Sequence, residues 1–316
     1  MARRQDRDDF TRPGFAALLA GLAMAALLAA TAAPARAQSR FATPQQAVDA
    51  LIIATRSGRS AALIRVLGPA GKALIHSGDP VADRNARQRF VAAYDQQHRI
   101  ELRGPERAVL IVGPEQWPMP IPLVHSASGW QFDTAAGRQE ILDRRIGRDE
   151  LAVIQVCRAY VEAQREYAVL AADSGGRPEY AQHFVSHPGR HNGLYWPTQP
   201  GAPQSPLGPL IAQARAGGYA SGGTRHEHHP YFGYYFRILT AQGPHAPGGA
   251  KHYLVDGRMS GGFALLAYPA TYGDSGIMTF IVNRTGIVFE RNLGPHTVTL
   301  AAKIRAYDPD DSWQVQ

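Results

Sequence analysis

The stretch "GGFALLAYPATYGDSGIMTFIVNRTGIVFERN", residues 261–292, decides how the C-terminal half of the chain folds. It holds three apolar segments, at 261–269, 276–283 and 286–292, each of strand length and each bounded by turn residues. Asn283-Arg284-Thr285-Gly286 separates the last two segments, and this turn sequence predicts a β-hairpin. The stretch therefore predicts an antiparallel sheet.

Gly273-Asp274-Ser275-Gly276, which leads into the hairpin, raises a catalytic alternative. Trypsin-like proteases carry their nucleophilic serine in such a string, beside a histidine base and an oxyanion hole. In this chain Ile277 stands where the protease string has a further glycine, and no histidine lies in the corresponding setting. Asp and Ser flanked by Gly are ordinary turn residues. We therefore interpret the string as a turn, and we expect Ser275→Ala to cost little stability.

Outward from this stretch, the segments 233–242 and 252–257 are also typical of strands, and a helix at about 297–307 closes the chain. Asp149–Ala172 is predicted as the longest helix. Four of its residues recur at helical spacing on one apolar face: Val153, Cys157, Tyr160 and Val161. Cys157, the single cysteine of the chain, is therefore predicted to be a small buried core residue.

Residues 173–231, between that helix and the strands, are rich in Gly, Pro and His and supply the candidate site residues. The candidates for ligand binding are aromatic: Tyr195, Trp196 and Tyr231. The candidates for metal binding are the histidines of "RHEHHP": His226, His228 and His229. The alternatives are aromatic side chains that belong to the core and a His-rich loop that is solvated.

The N-terminal half predicts helices followed by strands. Thr43-Pro44 and Ser60 are typical helix starts, and 83–98 has apolar residues at helical spacing. Short strands are predicted at the following segments: 107–113, 119–125 and 129–133. This order predicts an α+β domain and is similar to the cone-shaped nuclear-transport-factor-like fold, a resemblance that implies a pocket between helices and sheet.

The first residues have the features of an export signal. Four arginines make the start basic: Arg3, Arg4, Arg7 and Arg12. The apolar run 15–33 and the A-x-A site at 35–37 follow, which predicts cleavage before Gln38 and a periplasmic protein. The alternative is an uncleaved membrane anchor, because the run has about the 20 residues that a membrane span needs. The predicted segments are thus a signal peptide (1–37), an N-terminal α+β domain (38–147) and a C-terminal domain of long helix plus antiparallel sheet (148–316).

The charge and motif content of the chain narrow the classes of binding partner. Five of the 33 basic and three of the 26 acidic residues precede Gln38, so the remaining chain has a net charge of +5 with scattered arginines. A nucleic-acid partner is not expected, because it needs a concentrated basic stripe. We also expect no cofactor, because no dinucleotide or phosphate-loop signature occurs, and no stable membrane span after cleavage. The expected partner is an unknown envelope protein or a small ligand.

Long segments of the chain resemble one family. They are "WPMPIPLVHSASGWQFDTAAGRQEILDRRIGRDEL" (117–151), "HPGRHNGLYWP" (187–197), "SPLGPLIAQA" (205–214) and the stretch around the hairpin (261–295). They resemble the bacterial exported family called domain of unknown function 2950, which implies export and one shared architecture but carries over no catalytic residue. The long helix followed by antiparallel strands is also distantly similar to the soluble domains of pilins and pseudopilins.

Two functional hypotheses follow. The first is an exported envelope protein without catalytic activity that serves as a binding or assembly module, because no catalytic constellation is assembled in the sequence. The second is a periplasmic hydrolase-like or metal-dependent enzyme that uses residues of the 173–231 segment, such as His187 and His191, together with Asp274. Convergence of those side chains would favour the enzyme.

Overall fold

A computed structural model describes residues 38–173, 176–199, 201–219 and 229–316. The described residues form a mixed α+β structure of seven α-helices and several sheets, mostly antiparallel. This confirms the α+β class. Residues Gln38–Gln316 make up one compact unit.

Four helices precede the first sheet: α1 (Pro44–Ser57), α2 (Ser60–Leu67), α3 (Lys72–Ile75) and α4 (Pro80–Gln96). Helix α1 begins where predicted, because the Thr43 side chain accepts a hydrogen bond from the Gln46 amide at 3.2 Å. It ends at Gly58, whose φ of 65° lies in the left-handed region that suits glycine. Asp79 caps α4 in the same way as Thr43 caps α1.

The first sheet has five strands: β1 (His98–Leu102), β2 (Arg107–Val112), β3 (Trp117–Pro118), β4 (Leu123–Ser126) and β5 (Gly129–Phe132). Its antiparallel order is β1-β2-β4-β5, with β3 paired to β2. The strand β1 was not predicted, because its sequence "HRIEL" is largely charged and has no buried residue. Pairing with β2, from His98 opposite Val112 to Leu102 opposite Ala108, makes it a strand.

Helix α5 (Thr134–Asp173) is 40 residues long and begins 15 residues earlier than the predicted start at Asp149. The helix runs through Gly147 without a break, and Leu142 and Ile146 bury an apolar face in the added part. Cys157 is fully buried and free, as predicted, and burial raises the pKa of its thiol to about 12.

The second main sheet has five strands: β8 (Tyr234–Leu239), β13 (Ala264–Pro269), β14 (Met278–Asn283), β15 (Val288–Asn292) and β16 (Gln314–Val315). Its order is β16-β15-β14-β13-β8, with every pair antiparallel. The predicted hairpin is confirmed: β14 pairs with β15, and the Gly286 amide donates to the Asn283 carbonyl at 3.0 Å. Gly286 has a φ of 81°, which explains the glycine at this turn.

Helices cover both faces of this sheet. Tyr234 points toward α5, where its hydroxyl donates to Glu150, whereas Arg237 donates to the Ala301 carbonyl of α7 (Thr297–Lys303). Tyr234 and Arg237 are three residues apart along β8, so their side chains lie on opposite faces of the sheet.

Smaller elements complete the fold: β6 (His183–Val185) beside β7 (Gly193–Tyr195), α6 (Gly208–Ala216), β9 (Ala241–Gln242) beside β10 (Lys251–His252), and β11 (Leu254–Val255) beside β12 (Arg258–Met259).

Ser275 belongs to a turn, as predicted, but its side chain is fully buried. Its hydroxyl accepts a hydrogen bond from the Thr271 amide at 3.0 Å and lies 3.1 Å from the Thr271 carbonyl, to which it donates. The hydroxyl therefore closes the loop that leads into β14.

Buried apolar side chains form two clusters. One lies within residues 47–132 and the other within 153–307. Helix α5 crosses position 147 without interruption. The division into domains 38–147 and 148–316 therefore stays a prediction.

Candidate ligand-binding site

A cavity of about 430 Å³ lies among the helices of the N-terminal half, beside strand β3. Its apolar lining comes from α1 to α5 and from β3 with the residues after it: Leu51, Leu63, Leu67, Leu74, Ile75, Ala86, Phe90, Trp117, Met119, Ile121 and Ile141. Helix α4 contributes little buried surface here. Only Tyr94 of its 17 residues is buried, and Ala86, which is exposed to solvent, belongs to the lining of the cavity.

Charged residues occupy one side of this cavity. They are four arginines and one aspartate: Asp83, Arg87, Arg144, Arg145 and Arg148. The side chains of Arg144 and Arg148 are 53% and 57% exposed, so they lie where the cavity meets solvent. The site thus joins an apolar interior to a cationic opening.

Arg145 binds backbone carbonyl groups of the protein. Its guanidinium donates to the carbonyls of Ala73 at 2.9 Å and Leu74 at 2.6 Å, and it reaches the Asp274 carbonyl at 3.5 Å. Burial lowers the pKa of Arg145. It ties α5 to α3 and to the loop of Ser275, so its role in the site is structural.

Arg148 is shared between the cavity and a buried acid. Its Nε and a terminal nitrogen donate to one oxygen of Asp149, at 3.2 and 3.1 Å. The Asp149 side chain is only 4% exposed, and burial raises the pKa of its carboxyl to about 6, against the opposing effect of Arg148. The nearby charge of Asp79 also raises this pKa. Burial thus destabilises the ionised form of Asp149 that pairs with Arg148.

The other charged lining residues differ in their partners. Arg144 pairs with the exposed Glu140 and lies 5.6 Å from the centre of the Trp117 ring. Asp83 accepts a hydrogen bond from the Ser77 amide at 3.2 Å. Arg87, which is half-buried, forms neither an ion pair nor a side-chain hydrogen bond with any residue in the described part of the chain.

Two further acids, the buried Asp79 and the half-buried Glu150, serve the fold beside the site. Asp79 accepts hydrogen bonds from four groups: the amides of Val81, Ala82 and Gly233 and the hydroxyl of Tyr219. Glu150 accepts from the amides of Ile277 and Met278, at 2.8 and 2.9 Å. These acids connect α4 and α5 to the C-terminal sheet region, so their role beside the site is structural.

The structure separates the predicted aromatic residues. Tyr195 is buried and accepts a hydrogen bond from Arg215 at 2.6 Å, and Trp196 stacks on His191 with ring centres 4.4 Å apart. Tyr231 instead lies 4.8 Å from the ring of Tyr219. None of the three predicted residues lines the cavity, and their role in binding stays a prediction.

The predicted metal site is only partly covered by the structure. His226 and His228 lie outside the described residues, whereas His229 lies within them. Within the described ranges, no three histidine, cysteine, aspartate or glutamate side chains come together as a group that could hold a metal. A metal site in this loop stays a prediction.

The residues proposed for an enzyme occupy different settings. The ring of His187 contacts Asn192, with Nδ1 and Nδ2 2.8 Å apart, and His191 is covered by the Trp196 ring. Asp274 lies in the loop that Arg145 contacts. The enzyme hypothesis stays a prediction.

Sequence reasoning missed the arginines. Arg144 and Arg148 are four residues apart, and Arg145 and Arg148 are three apart, which places them on neighbouring turns of one helix face. This signal was hidden because the helix was predicted to begin only at Asp149.

Fold and cavity together define an α+β protein with a pocket of ligand size. The chain belongs to the family described as "Protein of unknown function (DUF2950)", whose sequence profile matches residues 38–315. No curated protein and no solved structure matches the chain, and the similarity to pilins stays a prediction. None of the helices in the described part combines the length and the apolar content that a membrane crossing needs.

Proposed function

We propose that this protein is a non-catalytic binding protein of the bacterial cell envelope that holds a small, largely apolar ligand in the cavity. The observation that carries the proposal is the cavity itself. Its volume of about 430 Å³ falls in the range of about 300–1,000 Å³ that is typical of ligand pockets, and most of its lining residues are apolar.

The surrounding architecture supports the same proposal. Residues 38–147 form a nuclear-transport-factor-like cone, in which helices and a curved sheet enclose the ligand. Four helices, the first part of α5, strand β3 and the segment after β3 line the cavity, and the order of helices and antiparallel strands is in keeping with such a cone. A cavity that is open to solvent at its charged side gives the ligand a route of entry.

Export places the ligand in the periplasm. The basic start, the apolar run and the A-x-A site favour removal of residues 1–37, and the family match begins at residue 38. N-terminal sequencing of protein from the periplasmic fraction is expected to begin at Gln38. Recovery of the uncut chain from the membrane fraction would support the anchor instead.

Binding can be tested with the neutral apolar probe N-phenyl-1-naphthylamine and its displacement by dodecanol. We expect saturable binding of one probe per chain. Ala86→Phe adds an aromatic ring at a lining position of the cavity and is expected to weaken probe binding at least tenfold. Gln96→Phe is the control, because Gln96 is an exposed residue of the same helix and lines neither this cavity nor the neighbouring one that Arg87 also lines.

Three outcomes would count against the proposal. If the probe fails to saturate, or if Ala86→Phe binds it as tightly as the unmodified protein does, the cavity is not the binding site. Equal losses in both variants would point to damage to α4 and would also count against the cavity.

A further inference from the structure

We infer that the ligand carries an anionic group on an apolar chain, as a fatty-acid carboxylate does, and that Arg87 and Arg148 receive this group. The inference rests on the proposed function, because it names the chemical class of ligand for the same cavity. It is carried by the unequal charge of the lining and by the partners of two of its arginines. Arg87 has no ion pair or side-chain hydrogen bond among the described residues, and Arg148 pairs with the buried Asp149.

The lining has an excess of positive charge. Four guanidinium groups face one carboxylate, that of Asp83, and this carboxylate already accepts a hydrogen bond from the Ser77 amide. Beyond the lining, the described residues place only Glu140 and Asp149 in ion pairs with these arginines. An anion in the cavity would therefore lower the electrostatic free energy of the site.

Arg87 is the first receiving group. It is half-buried beside an apolar wall, where a charged group without a partner is unfavourable. No described residue forms an ion pair or a side-chain hydrogen bond with it, so its donors are available. A guanidinium presents two parallel N–H groups that match the two oxygens of a carboxylate.

Arg148 is the second receiving group. Its present partner, Asp149, is buried and is destabilised in its ionised form. The side chain of Arg148 is more than half exposed and flexible enough to turn toward the cavity that it lines. When Arg148 turns toward a ligand carboxylate, Asp149 can take up a proton and lose its charge. Breaking the ion pair between Arg148 and Asp149 therefore costs little free energy.

The apolar interior determines the rest of the ligand. Buried side chains such as Met119 and Ile121 offer no hydrogen bond to a polar body, whereas a hydrocarbon chain is stabilised by its removal from water. The charge must therefore sit at one end of the molecule, near the arginines, with the hydrocarbon chain inside.

Calorimetric titration of the purified protein tests the inference with three ligands of equal chain length: dodecanoate, dodecanol and dodecyltrimethylammonium. We expect dodecanoate to bind at least tenfold more tightly than dodecanol, and the cation to bind most weakly. Arg87→Gln is expected to reduce the preference for dodecanoate over dodecanol about tenfold. Because Arg87 makes no described bond, this variant should fold normally.

Two further variants sharpen the test. Asp149→Asn removes the carboxylate that competes for Arg148 and is expected to tighten dodecanoate binding several-fold without affecting dodecanol. Arg103→Gln is the control, because this exposed arginine pairs with Glu101 on the edge of the first sheet, away from the cavity lining. It should change neither affinity.

The results separate the two proposals. If dodecanol binds as tightly as dodecanoate, or if Arg87→Gln leaves the preference intact, the inference of an anionic ligand is wrong while the proposed binding function stands. If none of the three ligands binds, the proposed function itself fails. If Asp149→Asn weakens dodecanoate binding, the exchange at Arg148 is wrong.

Discussion

Replacement of Asp149 by asparagine tests the electrostatics of the site most directly. Burial raises the pKa of this carboxyl from its ordinary value of 3.8 to about 6. One pKa unit corresponds to about 1.4 kcal/mol, so the ionised carboxylate destabilises the folded state by about 3 kcal/mol at neutral pH. The amide side chain of the variant carries no charge at any pH. We therefore expect Asp149→Asn to raise the free energy of unfolding at pH 7.5 by about 3 kcal/mol.

The direction in which stability changes with pH follows from the same pKa shift. Because the folded-state pKa lies above the unfolded one, protonated Asp149 favours the folded state; this contribution is complete below pH 3.8 and is lost as the pH rises through about 6. The stabilities of wild type and Asp149→Asn should therefore agree near pH 4 and diverge up to about pH 7. Above that pH the difference should be constant.

Urea unfolding at several pH values between 4 and 8 provides the assay. Asp143→Asn is the matched control, because Asp143 is an exposed carboxylate on the same helix that accepts a hydrogen bond from Gln139 at 2.8 Å. It should change stability by no more than about 0.5 kcal/mol at any pH. A difference for Asp149→Asn that is independent of pH, or a loss of stability at pH 7.5, would refute the reasoning.

The turn residues of the C-terminal sheet give three further predictions, each measured by thermal and urea unfolding. Gly276→Ala should cost about 3 kcal/mol, because a Cβ at this position would lie 2.0 Å from the hydroxyl oxygen of the buried Tyr234; a loss below 1 kcal/mol would contradict the packing. Gly286→Ala should cost only about 1 kcal/mol, because a methyl group fits and only the positive φ is unfavourable; a loss as large as that of Gly276→Ala would be inconsistent with this space. Ser275→Ala should cost about 1–3 kcal/mol, more than the sequence suggested, because the amide of Thr271 loses its acceptor; unchanged stability would show that water replaces the hydroxyl.

Much of the fold could be predicted from local sequence signals. The hairpin at Gly286, the cap at Thr43 and the buried Cys157 depend on turn chemistry, capping and helical spacing, which neighbouring residues determine. Strand β1 and the first part of α5 could not be predicted in this way. Pairing with β2 makes the charged sequence of β1 a strand, and tertiary packing carries α5 through Gly147.

The candidate site was less accessible to sequence reasoning. The cavity lies between elements that are distant in sequence, and no local pattern records such a space. Histidines and aromatic residues were predicted as site residues because those residue types often bind ligands. The arginines that line the cavity were overlooked as scattered surface charge, since their common helix face depended on the true start of α5.

Helix α5 also has a mechanical consequence. With a rise of 1.5 Å per residue, its 40 residues form a rod about 60 Å long. Arg148, which lines the cavity, and Glu150 lie within one turn of this rod. Glu150 accepts hydrogen bonds from the amides of Ile277 and Met278 at the start of β14. We therefore expect a ligand that displaces Arg148 to change the rate of hydrogen–deuterium exchange at these two amides.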